Sequence, residues 1–247
     1  MYAPAGGENE KITFASALSN CLDNLMSSPE NFNCVVGGDL NVSLQPLLDS
    51  YNNNDSNVNY RKSILNICEN LNLIDVWRII NPETKRYTWR RNTPLQQSRL
   101  DYWLISAHML YNMKTTNIKA GFKTDHSLIQ ISFECNSSEK RGPGFWKFNS
   151  SLLTDDDFCA YIRGIIEKYS KTYAYLSDHT LKWDLIKMEI RTATIAYSKT
   201  QASLKRQHEK KLHAEINALE EIINFSPADD IMARHAALQT ELENIYV

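Results

Sequence analysis

The chain has 247 residues, of which 43% are hydrophobic and 10% aromatic, as in an ordinary globular protein of one or two domains. A formal net charge of −2 gives no bulk attraction to nucleic acid, and no run approaches the ~20 apolar residues of a membrane span. The five cysteines (Cys21, Cys34, Cys68, Cys135 and Cys159) are odd in number and never closely paired. That argues against a disulfide scaffold or a zinc site and predicts reduced, mostly buried thiols in an intracellular protein without a signal peptide.

In chain order, a polar loop, Gly6-Gly7-Glu8-Asn9-Glu10, precedes a predicted helix over 13–26 with Phe14, Leu18, Cys21, Leu22 and Leu25 on one face. Cys34-Val35-Val36-Gly37-Gly38-Asp39-Leu40-Asn41 then reads as a buried strand whose glycines let the backbone turn. If the strand runs through Asn41, Asp39 and Asn41 share one face. An acid there takes a proton from water while an amide orients the water or the group attacked. The plainer reading of Gly, Asp and Asn is a turn.

Residues 49–59 are rich in Asn, Asp and Ser and read as a loop, followed by a helix over 58–71 with Ile64, Leu65, Ile67, Cys68 and Leu71 inward. Strands are predicted near 87–90, 98–105, 115–119 and 128–133. Ser98-Arg99-Leu100-Asp101 opens one of them, and Thr124-Asp125-His126-Ser127 leads into another. Two acids, an amide and an imidazole thus stand in order beside strands.

Residues 136–144 have the composition of a linker, and beyond them helical periodicity takes over. Thr154 is placed to cap a helix with Asp155, Asp156 and Asp157 in its first turn. A second helix is expected from Ser177-Asp178 to about residue 223, with Leu181, Leu185, Met188 and Ile195 on one side. Ser226-Pro227 breaks it, and a last helix spans 229–245. Leu204, Lys211, Leu212, Ile216, Leu219 and Ile223 are close to heptad-spaced, which predicts an extended hairpin of helices. Ser177-Asp178-His179 is read as a helix cap, and the basic run 199–211 as solvated helix charge. His208, His213 and His235 are read as polar-face residues without ligand partners.

The ordered blocks resemble the endonuclease/exonuclease/phosphatase superfamily, in particular the apurinic-type endonuclease domain of LINE-like retrotransposon polyproteins. Gly38-Asp39-Leu40-Asn41 is similar to the family's Gly-Asp-Phe-Asn block, Ser98-Arg99-Leu100-Asp101 to Ser-Arg-Ile-Asp, and Thr124-Asp125-His126 to Ser-Asp-His. Tyr2-Ala3-Pro4, Asn81-Pro82, Tyr87-Thr88-Trp89 and the run from Trp146 to Leu153 extend the likeness.

The resemblance implies an α+β fold: the C-terminal half of a two-sheet α/β sandwich in 1–135, a linker in 136–144, and an extended helical connector arm in 145–247. It implies Mg²⁺-dependent phosphodiester hydrolysis on DNA, with nuclear localisation and no membrane partner. Asp39 would activate water, and Asn41 would position the water or a non-bridging phosphate oxygen. His126 would stabilise phosphoryl charge with Asp101 fixing its tautomer, Tyr2 would contact phosphate or help the leaving group, and Asp125 would be a metal-side carboxylate. Thr88, Arg90 and Arg91 would touch DNA. The family's metal-side Asn and Glu lie in an N-terminal half to which no residue here is assigned, Glu8 and Glu10 included. A chain truncated at both ends, with an apolar sheet face exposed and no activity alone, is therefore expected. The alternative is a non-catalytic remnant acting as a helical interaction module, and helix-mediated self-association fits either reading.

Overall fold

The computed structural model describes residues 1–26, 33–51, 56–92, 94–121, 124–134, 142 and 144–246. Contacts divide the chain into one compact unit of Met1–Asn136 with Leu212–Val247 and a second of Ser137–Lys211. The architecture is mixed α and β. No helix among the described residues is long and apolar enough to cross a membrane.

The first unit opens with α1 (Glu8–Met26), which begins earlier than its apolar spacing suggests. Glu8 and Glu10 put negative charge in the first turn, where the helix dipole favours it. Then follow β1 (Val35–Asp39), the short α2 (Pro46–Asp49), α3 (Val58–Asn70), β2 (Leu73–Asp75) and α4 (Val76–Ile80). Glu8 serves α3: its Oε1 accepts the backbone N–H of Asn59 at 2.7 Å and of Tyr60 at 3.3 Å, satisfying donors that an open helix start leaves free. The strands β3 (Trp89–Asn92), β4 (Leu95–Ser98), β5 (Asp101–Ser106), β6 (Met113–Lys119) and β7 (Leu128–Phe133) complete this part.

A three-stranded antiparallel sheet has the order β1-β5-β2, and β3-β4 and β6-β7 form two-stranded ladders. Alternation puts Val36, Tyr102 and Leu104 on the face that packs under α1 and α3 with Ala15, Leu22, Tyr60, Ile64 and Ile67. Leu65, expected on the inner side of α3, is 42% exposed, and Tyr60 takes the interior place. On the opposite face Ile105 is fully buried and Trp103 half-buried, while Val35 is 42% exposed, so the apolar face is covered in part.

Asp49, fully buried, anchors the strands electrostatically. It takes Nε of Arg99 at 2.8 Å and Nη2 of Arg78 at 2.5 Å, and Arg99 also reaches Asp75 at 2.5 Å. Arg99 lies over the rings of Trp77 and Tyr102, at 5.1 and 4.4 Å. Charges this deep persist only when paired and hydrogen-bonded.

The second unit carries α5 (Asp156–Thr172) and most of α6 (His179–Phe225). Asp155, one residue after the expected Thr154, caps α5 by accepting the N–H of Phe158 at 3.0 Å. Asp178 Oδ1 accepts the N–H groups of Thr180 and Leu181 at 2.8 and 3.0 Å, so the Ser177-Asp178-His179 triplet is a cap. The core is aromatic: Phe158 is 2% exposed, with its ring centroid 5.2 Å from Tyr197. Leu181, Met188 and Leu204, expected along an apolar stripe, are 46%, 55% and 54% exposed.

The arm expected over 145–247 is therefore not one piece. The end of α6 and all of α7 (Asp229–Tyr246) belong to the first unit. Leu212, Ile216, Leu238 and Leu242 pair the two helices and close over Ala120. An apolar stripe of that length needs cover, and the loop after β6 supplies part of it. Of the expected linker, only residues 142 and 144 are among those described, and Cys135 lies outside them. Of the remaining thiols, Cys21 is exposed and Cys34, Cys68 and Cys159 are half-buried. Burial pushes the Cys68 thiol up to about 11.

Candidate active site

Asp39 ends β1 directly opposite Asp101 at the start of β5. Both project from the sheet face away from α1 and α3. Next to them Gly37 lies beneath Trp103, where a Cβ would stand 2.1 Å from the indole. Gly38 has φ +141°, and a Cβ there would meet the backbone of Met1 at 1.9 Å. Glycine is required at both places, one for close approach and one for a backbone that L side chains avoid.

The strand does not continue to Asn41. Asn41 adopts a left-handed backbone with φ 50°, a conformation its side chain tolerates, and its N–H donates to Asp39 Oδ1 at 2.7 Å. The expected shared face is replaced by an Asx-type turn. Asn41 Nδ2 donates to the carbonyl of Ala3 at 2.7 Å, so the amide locks the Tyr2-Ala3-Pro4 segment against the turn. Tyr2 pairs with Asp39 through the backbone and is 68% exposed. Sequence reading missed Lys11, which is 6% exposed and donates from Nζ to the Asn41 carbonyl at 2.9 Å. As one lysine on an amphipathic helix, it carried no signal.

His126 arrives from the loop before β7. Its Nδ1 lies 2.9 Å from Asp101 Oδ2, and its Nε2 faces Asp39 Oδ2 at 4.0 Å. Ligand-type atoms of Asp39, Asp101 and His126 all fall within 4.8 Å of one another. Desolvation raises the Asp39 carboxyl above its usual range, and the Asp101 charge adds to this. The Asn41 N–H, His126 and Lys11 pull the other way. The result is a carboxylate held ready to take a proton, beside an imidazole whose orientation a second carboxylate fixes.

Thr88 joins the two halves of the His–Asp pair. Its Oγ1 accepts the N–H of Leu100 at 2.9 Å and of Asp101 at 3.1 Å, and its carbonyl accepts the N–H of Ser127 at 2.6 Å. It is 1% exposed and does not meet solvent, which corrects the expected DNA contact. Arg90 is likewise committed inside: it donates to Gln97 Oε1 at 2.7 Å and lies 3.4 Å from Glu220 and 3.0 Å from His235 Nε2. Arg91, the next residue on β3, is exposed. Asp125 stands outside the cluster of three, with its Oδ2 accepting the Trp89 indole N–H at 2.8 Å.

His235, read from sequence as a polar-face residue, is 4% exposed and lies 3.2 Å from Glu220. Glu220 also pairs with Arg86. Burial alone would raise the Glu220 carboxyl, but the His235 hydrogen bond and the charges of Arg86 and Arg90 outweigh it and hold it low.

No protein-family model matches the chain. Solved structures similar to it include the AP endonuclease of Archaeoglobus fulgidus (19% identity, 55% of this chain and 60% of that one, TM-score 0.45). Another is the 3′-5′ exonuclease NExo of Neisseria meningitidis (20% identity, 51% and 54%, TM-score 0.43). Likeness of that size says nothing of activity here. In sequence, the chain is 25% identical over 252 residues to the Transposon TX1 uncharacterized 149 kDa protein of Xenopus laevis. The match takes in 99% of this chain and 18% of that protein, so the chain spans less than a fifth of its relative. The chain is thus a relative of a transposon-encoded protein over nearly its whole length, and its Asp39, Asp101 and His126 blocks meet at one point.

Proposed function

We propose that this chain carries the phosphodiesterase centre of a transposon-type DNA endonuclease, acting in the nucleus on a target-DNA strand. The observation that carries the reading is the 2.9 Å contact of His126 with Asp101, with Asp39 facing the other ring nitrogen. Asp39 accepts the proton of the attacking water, aided by a carboxyl that burial keeps basic. His126 meets the phosphoryl oxygens, and Asp101 and Thr88 hold it in place. Asn41 acts by holding the Asp39 turn, and Tyr2 contacts phosphate from its exposed position. Exposed Arg91 contacts the DNA.

Mg²⁺ fits this donor set on chemical grounds. One Asp101 oxygen is engaged by His126, and the other is a hard donor of the kind that holds Mg²⁺ together with substrate phosphate and water. The ion when bound neutralises charge on the phosphate. Asp125, committed to Trp89, supports the loop that carries His126. With Asp39 given to the attacking water, Asp101 is the one carboxylate of the cluster left to the ion, so the 247 residues by themselves are expected to bind DNA and not to cut it. Exposed Leu181, Met188 and Leu204 support helix-mediated self-association of the second unit.

Incubating the purified chain with supercoiled plasmid in Mg²⁺ tests this. No nicking is expected, together with salt-sensitive binding of a labelled duplex. Nicking abolished by Asp39→Ala would refute the inactivity while supporting the site. Absence of any DNA binding would remove the nuclease reading itself.

A further inference from the structure

A cavity of about 260 Å³ opens beside His126. Tyr87, Trp89 and His126 line it from the strand part of the first unit, and Glu220, His235 and Gln239 line it from α6 and α7. The helical pair is fixed there by more than apolar packing. Arg86 donates to Asn217 Oδ1 at 2.6 Å and pairs with Glu220, and Asn224 donates to the Lys85 carbonyl at 3.2 Å. A wall so anchored is preorganised, and preorganised groups give up little on binding.

The charges select the kind of group the cavity takes. Asp125 and Glu220 present carboxylates, and the nearby Arg90 is already matched by Glu220. A phosphate entering would meet the Asp125 carboxylate and a guanidinium already committed to Glu220, so the phosphate belongs outside, at the Asp39–Asp101–His126 cluster. What the recess suits is a flat, neutral group with hydrogen-bonding edges, laid against the Trp89 and Tyr87 rings. At about 260 Å³ it is smaller than the roughly 300–1,000 Å³ of a drug-sized site, which suits a single heterocycle.

We infer that the α6–α7 pair is a specificity element of the nuclease unit: it holds one nucleobase next to the reacting phosphate, and Gln239 reads that base through its side-chain amide. Gln239 is half-buried, hydrogen-bonds in both senses and stands outside the ion pairs of Glu220 with Arg86, Arg90 and His235, so a base edge is its natural partner. The inference rests on the reading of the site as a DNA phosphodiesterase.

The test is equilibrium binding of the full chain to a duplex pool randomised in sequence, with the bound fraction sequenced. It is repeated for Gln239→Ala and Gln239→Leu, with Thr240→Ala, an exposed neighbour on α7, as control. The wild type and Thr240→Ala should favour one base at one position by about tenfold, the usual scale of a good base contact. Both Gln239 variants should lose that preference while the salt dependence of binding stays the same, since phosphate contacts are untouched. A preference that survives in both Gln239 variants, or a wild type that binds DNA without any preference, overturns the inference and leaves the phosphodiesterase reading standing. A wild type that binds no DNA overturns both.

Discussion

The two units solve the problem of stability differently. In the first, distant segments are tied together by strand register and by buried ions: Asp49 gathers Arg78 and Arg99, and Glu220 gathers Arg86, Arg90 and His235. In the second, most cohesion is local or aromatic. Phe158 meets Tyr197 edge-on, Tyr161 stacks on the same ring at 6.0 Å, and Phe145, Tyr175 and Trp183 are 90%, 78% and 51% exposed. A catalytic arrangement needs side chains held to within tenths of an ångström, and only the first kind of structure over-determines positions to that degree. The lesson is that the site sits where long-range constraint is greatest.

Breaking the ion core should give the largest effect. Asp49→Ala leaves the buried Arg78 guanidinium without its carboxylate and Arg99 with Asp75 alone, and such an uncompensated charge costs about 3–5 kcal/mol. Urea denaturation followed by tryptophan fluorescence should show a first unit that barely folds. A loss within experimental error of zero would mean that the network is ornamental and that the contrast drawn between the units is misplaced.

A cavity in the second unit comes next. Phe158→Ala removes its most buried aromatic side chain, a change that typically costs about 3 kcal/mol. Hydrogen exchange should then lose protection over α5 and the start of α6, with β1 and β5 unchanged. Equal loss in both units would make them one cooperative block.

The smallest effect sharpens the comparison inside the first unit, where two buried carboxylates have opposite signs. Asp39 has its folded pKa raised, so its charge costs stability above that pKa, and the cost fades as pH falls through it. Asp39→Asn should therefore raise Tm near neutral pH and lose the advantage in acid. Glu220 has its folded pKa lowered, so it contributes stability above the unfolded carboxylate pKa that is lost as pH falls through the folded value. Glu220→Gln should lower Tm near neutral pH and converge with the wild type in acid. Melting curves across pH decide both, and parallel pH profiles for the two variants would contradict the assigned causes.

The sequence by itself determined the strand into Asp39, the order of the Asp39, Asp101 and His126 blocks, and the two long helices to within a few residues. These are readings of local pattern: apolar runs, glycine turns, caps such as Asp178, and the Ser226-Pro227 break. Tertiary structure alone decided what several of those residues do. Thr88 and Arg90 look like DNA contacts in a basic hairpin, yet one is 1% exposed and the other is matched by Glu220, more than a hundred positions away in the chain. Asn41 leaves the shared face because a left-handed turn satisfies the Asp39 carboxylate. Lys11 and His235 gave no signal, since burial and partners are set by segments that composition cannot bring together. The fate of Leu212–Val247 was hidden for the same reason: heptad spacing states that a stripe must be covered, and only the fold states that Ala120, Leu238 and Leu242 cover it.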